Sequence, residues 1–232
     1  RRPRGVGAGV ALSYHGPGRV ASTLRAVALG AYVRREEPSP MSAAVRNQKE
    51  LEGLSNEALV GLFSTLEAPT IDEMNGEYAA TLLSQPSLVA ALQGTFAVRN
   101  PFYPGVWLAK CFRPVDAVSG RGYNSFSHLG RTVQRYPMRT VIARSRFDGK
   151  PAYQLVYRAY RSFCGDIHMV DEVRRLAPGL YLGIGTWGFN DAQRRVPLPF
   201  ALEGPTAPYR GDIGEERAGY HLEDELSPGP RE

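Results

Sequence analysis

Between Ser55 and Leu66 the apolar residues Leu59, Leu62, Phe63 and Leu66 recur at i, i+3, i+4 and i+7, which draws one stripe on a helix. Ser55 can cap its start and Pro69 follows its end. Thr70-Ile71-Asp72-Glu73 has capping-box spacing and opens a short turn that stops at Asn75-Gly76. Gln85 to Gly94 reads as another short helix, capped by Ser87. Beyond it the period changes to two. Val106 to Arg113 alternates, with Val106, Leu108, Lys110 and Phe112 on one face and Trp107, Ala109 and Cys111 on the other. Thr140–Phe147 and Ala152–Arg161 flank Asp148-Gly149-Lys150, a strong hairpin signal. Ile167–Leu176 and Leu180–Phe189 flank Ala177-Pro178-Gly179, and Leu198–Leu202 closes the series.

Five or more antiparallel strands at short spacing, after short N-terminal helices, predict a mainly β fold: a lipocalin-like barrel or a strongly bent sheet. Gly183, Gly185 and Gly188 would weaken a flat strand. They suit a sheet that bends to close, or a backbone that a ligand approaches.

Composition sets the limits of this domain. Hydrophobic residues are 43% and charged residues 22% of the 232, ordinary for a globular protein. The net charge of +5 sits in residues 1–40, which hold seven arginines against Glu36 and Glu37, while residues 41–232 balance 21 bases with 21 acids. The strand arginines form no basic run and read as a solvated face, so no nucleic-acid partner is expected. No apolar run approaches the ~20 residues of a membrane span. Residues 1–41 read as a disordered or artefactual extension, with an organelle transit peptide as the rival because the stretch is Arg-rich and acid-free until Glu36. Residues 42–211 form the predicted barrel domain. Residues 212–232, acidic and broken by Pro228 and Pro230, read as a disordered tail or loose strap. Cys111 and Cys164 form no metal or disulfide pattern, which fits a reducing compartment and the cytoplasm.

Phe63-x-x-Leu66-x-Ala68-Pro69 followed by Glu73-Met74-x-Gly76-Glu77-Tyr78, then Trp107-x-Ala109-Lys110-x-Phe112, resembles the bacterial Gly-x-Trp-x-Gly domain, with Tyr78 where that family has Trp. Ile167 to Arg174, Leu180-Tyr181-Leu182-Gly183 and Pro199-Phe200-x-Leu202 resemble its companion domain of unknown function. Asp171 and Arg174 occupy the matching acidic and basic places. The resemblance implies a lipocalin-like barrel and brings no activity with it.

No nucleotide-binding fingerprint, zinc motif or nucleophile elbow is present, so no cofactor or metal is expected. Asp171 falls on the apolar face of its strand with Ile167, Met169 and Val173. An unpaired carboxylate there is costly, so it needs a cationic partner or hydrogen-bond donors, or serves as an acid or base. His168 and Glu172 share the other face and could form an acid–base pair. The candidate catalytic residues are therefore Asp171 and His168. The aromatic residues Tyr78, Trp107, Tyr153, Tyr157, Tyr181 and Trp187, with Arg174, are the candidate ligand contacts. Trp187 stands out because Gly185 and Gly188 clear space beside its indole. These residues support binding of a small hydrophobic or aromatic metabolite. Two alternatives stand beside it: a cofactor-free isomerase or cyclase on the same fold, and a protein-interaction module.

Overall fold

The computed structural model describes residues 47–100 and 102–226. The N-terminal extension expected over 1–41 lies outside the described residues.

Two short helices come first: α1, Gln48–Glu52, and α2, Asn56–Phe63. The Ser55 hydroxyl accepts the Ala58 amide and so caps α2. The Thr70–Glu73 box forms as its spacing predicts, but it caps a turn and not a helix: the Glu73 amide donates to Thr70 Oγ1 at 3.2 Å. Eight antiparallel strands follow. They are β1 Gly76–Leu82, β2 Gly105–Pro114, β3 Ser119–His128, β4 Arg131–Arg144, β5 Pro151–Val156, β6 Val170–Ala177, β7 Leu180–Thr186 and β8 Leu198–Ala207. Each pairs with the next and β8 pairs with β1, so the sheet is a closed barrel. Closure leaves no strand edge open. Between β1 and β2 lies α3, Leu88–Arg99; between β5 and β6 lies α4, Phe163–Asp166. No helix among the described residues is long and apolar enough to cross a membrane.

Alternation sorts the strand residues. On β7, Leu180, Leu182 and Ile184 face outward and, with Ala201 of β8, receive Leu51, Leu59, Leu62 and Phe63 of the two N-terminal helices. The helices thus clad the barrel wall. Tyr181 and Gly183 face inward, toward a core built on Tyr78, Phe112, Met138, Tyr153, Val173, Phe200 and Leu202. The Asp148-Gly149 turn joins β4 to β5 as expected, and Gly149 has φ +73°, a left-handed conformation that glycine supplies without strain.

Antiparallel order puts the β1–β2, β3–β4, β5–β6 and β7–β8 connections at one end of the barrel, here called the mouth. The opposite end is closed by Ile71 and Met74, which join the interior cluster. The inward residues that keep partial exposure there, Ala80, Trp107, Tyr136 and Met169, all lie in the mouth half.

The stretch after β8, expected as a disordered tail or loose strap, crosses the outer wall. Tyr209 and Ile213 pack on Cys111 and Tyr123, Glu216 bridges to Tyr160, and the Glu225 carboxylate reaches His168. Asp212 takes a forked pair of bonds from Arg113, at 2.8 and 2.5 Å. Those bonds hold the Asp212 carboxyl below its ordinary range. A folded value below the unfolded one means that this fastening is complete above about pH 3.9 and is lost as pH falls through the folded value. Exchange of the Arg217 amide, which ties the strap to the Ala159 carbonyl, is expected to be faster at about pH 3 than at about pH 5 once corrected for its intrinsic rate, and Asp212→Asn should show the faster exchange at both. Level protection across that range would assign the fastening to Tyr209 and Ile213 instead.

Candidate functional site

In the mouth half a charged cluster stands inside the barrel. A β-bulge between Trp107 and Ala109 breaks the alternation of β2, so Trp107 and Lys110 both face inward. Lys110 Nζ donates to Asp171 Oδ2 at 2.6 Å, to the Tyr157 hydroxyl at 2.6 Å and to Asn124 Oδ1 at 3.1 Å. The Tyr157 hydroxyl donates to Asp171 Oδ2 at 2.9 Å and accepts from Asn124 Nδ2 at 3.0 Å. Trp107 Nε1 donates to Asn124 Oδ1 at 3.0 Å. Every ammonium proton of Lys110 has an acceptor. Three rings box it in: Nζ lies 5.2, 5.3 and 5.0 Å from the centroids of Trp107, Tyr157 and Phe200.

The pair is nearly dry, with side-chain exposures of 5% for Lys110 and 3% for Asp171. Separating either charge from its partner there would be costly, which fixes the geometry. Burial, and then the Asp171 charge, push the Tyr157 hydroxyl well above its ordinary range, so it stays a protonated donor. Cys164 lies close by; burial pushes its thiol up to about 12, which keeps it a thiol and not a nucleophile.

All the side-chain bonds to Asp171 fall on Oδ2. Oδ1 points at Gly185 of β7, where an added Cβ would come within 2.9 Å of it. Gly183 makes room in the same way, since a Cβ there would fall inside the Phe200 ring. The β7 glycines, read from sequence as a bend that closes the sheet or as room for a guest, accommodate the Asp171 carboxylate and the Phe200 ring.

The other expected site residues are dispersed. Tyr78, Tyr153 and Tyr181 face inward but fill the closed half, with Tyr181 edge-on to Tyr78 and Tyr78 linked through Phe112 to Tyr153 by contacts of 5.5–5.6 Å. Their hydroxyls donate to the Glu73 carbonyl, Thr140 Oγ1 and Glu73 Oε1. Those tyrosines are core in this structure. Arg174 faces the opposite way from Asp171's neighbour Val173. It is buried on the outer wall, where Nη1 and Nη2 each donate to Asp148 at 2.7 Å. It is therefore no contact of the barrel interior.

His168 also stands apart from the cluster. β6 begins only at Val170, and His168 occupies a turn with φ +55°, so strand alternation does not reach it. Its Nδ1 sits 2.7 Å from Glu225 Oε1, and the expected pairing with Glu172 does not form. Glu172 instead accepts the Arg146 amide, and burial pushes its carboxyl up. Trp187 lies one residue past the end of β7 and is 37% exposed, at the rim and outside the interior cluster. Among the described residues no group of three or more His, Cys, Asp or Glu side chains gathers to hold a metal.

Lys110 and Asn124 complete the site without having been candidates. A signal for Lys110 existed: it is one of three lysines beside 25 arginines, and alternation already set it with Phe112 on an apolar face.

An eight-stranded closed barrel with an ammonium–carboxylate–phenol cluster buried in its mouth half is the class that fold and site define. No family model matches the chain, and no curated protein matches it. Among solved structures it is similar to a protein from Thermomonospora curvata, with 15% identity and a TM-score of 0.45, over 65% of this chain and 87% of that one.

Proposed function

We propose that the mouth half of the barrel binds a small aromatic or otherwise apolar molecule that carries a hydroxyl group. The observation that carries this reading is Asp171 Oδ1, a carboxylate oxygen without a side-chain donor, in a cluster ringed by Trp107, Tyr157 and Phe200. Lys110 and Tyr157 saturate Oδ2, so what the site lacks is a donor, and a ligand hydroxyl supplies one. Trp107 and Phe200, edge to face at 5.9 Å, would flank the apolar body. A carboxylate ligand is disfavoured, because it would bring a second negative charge to Asp171.

A titration followed by tryptophan emission tests this, with 1-naphthol, 1-naphthoate and 1-methylnaphthalene as probes. The expected result is saturable quenching by 1-naphthol, at least about tenfold tighter than by either of the others, as one charge-assisted hydrogen bond gives. The response should survive Trp187→Phe and vanish in Trp107→Phe. Equal affinity for all three probes would remove Asp171 from the site, and a response lost with Trp187 would move binding to the rim.

The same unbonded oxygen favours a second reading, cofactor-free proton transfer, with Asp171 as base and Tyr157 as a fixed donor to it. Deuterium incorporated at carbon into an added hydroxyl or carbonyl compound in heavy water, lost in Asp171→Asn, would distinguish this from binding alone.

A further inference from the structure

Among the described residues sixteen large hydrophobic side chains are exposed, and nine of them fall in one sector of the mouth, in residues 88–108 and at Leu129. Helix α3 is built the reverse of a water-facing helix. Its Gly94 backs onto Leu82, where a Cβ would sit 3.2 Å from the side chain, while Leu88, Val89, Leu92 and Phe96 are 64–77% exposed. Leu88, Leu92 and Phe96 follow at i, i+4 and i+8 and so form one outward stripe. Phe102 and Tyr103 extend the surface toward β2, and Arg135 ties it to β4, its guanidinium 4.7 Å over the Tyr103 ring and Nε donating to the Pro104 carbonyl.

Charge chooses the occupant. Residues 83–108 and 126–135 carry Arg99, Arg131 and Arg135 and no acidic side chain at all. Of the strap's acids, Asp212 is bound by Arg113 near the closed end of β2, while Glu215, Glu216 and Glu225 lie against Arg161, Tyr160 and His168, on the side of the mouth built by the β5–β6 connection. An apolar helix face with aromatic tips, ringed by arginines and free of carboxylates, matches an anionic bilayer surface. There the apolar side chains enter the boundary of the acyl chains and the guanidinium groups meet lipid phosphates.

We propose that the α3 sector of the mouth docks on anionic membranes, which sets the mouth end of the barrel against the lipid. The proposal does not depend on what the barrel binds.

Co-sedimentation of the full chain with vesicles of phosphatidylcholine, and of phosphatidylcholine with about 30% phosphatidylglycerol, tests it. Binding to the anionic vesicles is expected to exceed binding to the neutral ones by about tenfold or more, and to weaken with salt. Leu92→Glu/Phe96→Glu should lose at least tenfold, and Arg131→Glu about fivefold. Val118→Glu, in the turn at the closed end, should leave binding unchanged. Both altered helix positions are solvent-facing, so the melting temperature should hold; if the double variant melts early, Arg131→Glu at its exposed turn carries the test alone. Equal binding to both vesicles, or none, overturns the proposal. So does a dimer that Leu92→Glu/Phe96→Glu makes monomeric without any vesicle binding, since the sector would then join two copies of the chain.

Discussion

Asp171→Leu is expected to cost about 3–5 kcal/mol of folding stability, while Lys110→Met/Asp171→Leu together cost far less than either change alone would suggest. The single change leaves the Lys110 ammonium in a dry aromatic box with two neutral acceptors, Tyr157 and Asn124, and no counter-charge. Removing both charges leaves apolar side chains among Trp107, Tyr157 and Phe200, a setting that suits them. Urea unfolding at neutral pH measures this, with an unchanged m-value as the sign that both variants unfold from the same compact state. A cost under about 1 kcal/mol for Asp171→Leu would mean that water reaches the pair and that the cluster is far less constrained than its exposure indicates. The same pair of variants bears on function. If the double variant regains stability and loses 1-naphthol, the charges serve the ligand and the fold does not need them.

Arg174→Met is expected to cost a similar ~3–5 kcal/mol, and Arg174→Lys to recover less than half of it. Arg174 is fully buried and spends its donors on five acceptors: both Asp148 oxygens and the carbonyls of Phe63, Lys150 and Pro151. It thereby ties the end of α2 and the β4–β5 turn to β6. A lysine ammonium carries the charge but cannot span that fork. A pH signature accompanies the loss. Burial alone would raise the Asp148 carboxyl, yet the Arg174 pair and the Lys150 amide together hold it below its ordinary value. The parent therefore loses this contribution as pH falls through that lowered value, and Arg174→Met should show a shallower acid limb. If Arg174→Lys is as stable as the parent, the fork is not what holds the turn.

Much of the barrel was legible because period-two alternation survives wherever one face meets the core and the other meets water or the helices. The β4–β5 and β6–β7 hairpins, β2 and β8 were all visible, and so was the inward face of Asp171. β3 was not. Its burial is almost continuous because the interior lies on one side and Tyr209 and Ile213 cover the other, and its Gly, Ser and Asn residues imitate a loop. Gly122 is needed there, since a Cβ would crowd the Cys111 carbonyl and the Phe112 and Met138 side chains. β1 was masked by Asn75-Gly76, which reads as a stop and in fact starts the strand.

The site was half legible for a related reason. Asp171, Tyr157 and Trp107 were candidates, but period two set Trp107 and Lys110 on opposite faces of β2. A single extra residue at the bulge reverses that. Bulges leave little trace in composition, so the cation that completes the cluster was hidden behind a correct strand. Arg174 and His168 were misplaced by the opposite error, the extension of a functional reading to neighbours that face the outer wall or precede the strand.

Closure of the barrel has a consequence for how the chain is made. The seam joins β1 to β8, with the Thr206 hydroxyl donating to the Glu77 carbonyl across 129 residues. At about 5–20 residues per second, a ribosome releases β8 roughly 6–25 s after β1. Throughout that interval β1 can pair with β2 on one side only, and its other side offers unpaired amides and carbonyls to any neighbouring chain. The order of synthesis thus leaves the least protected edge of the protein waiting longest, and translation stalls before residue 198 fall in the window where nascent chains of this kind most need chaperone cover.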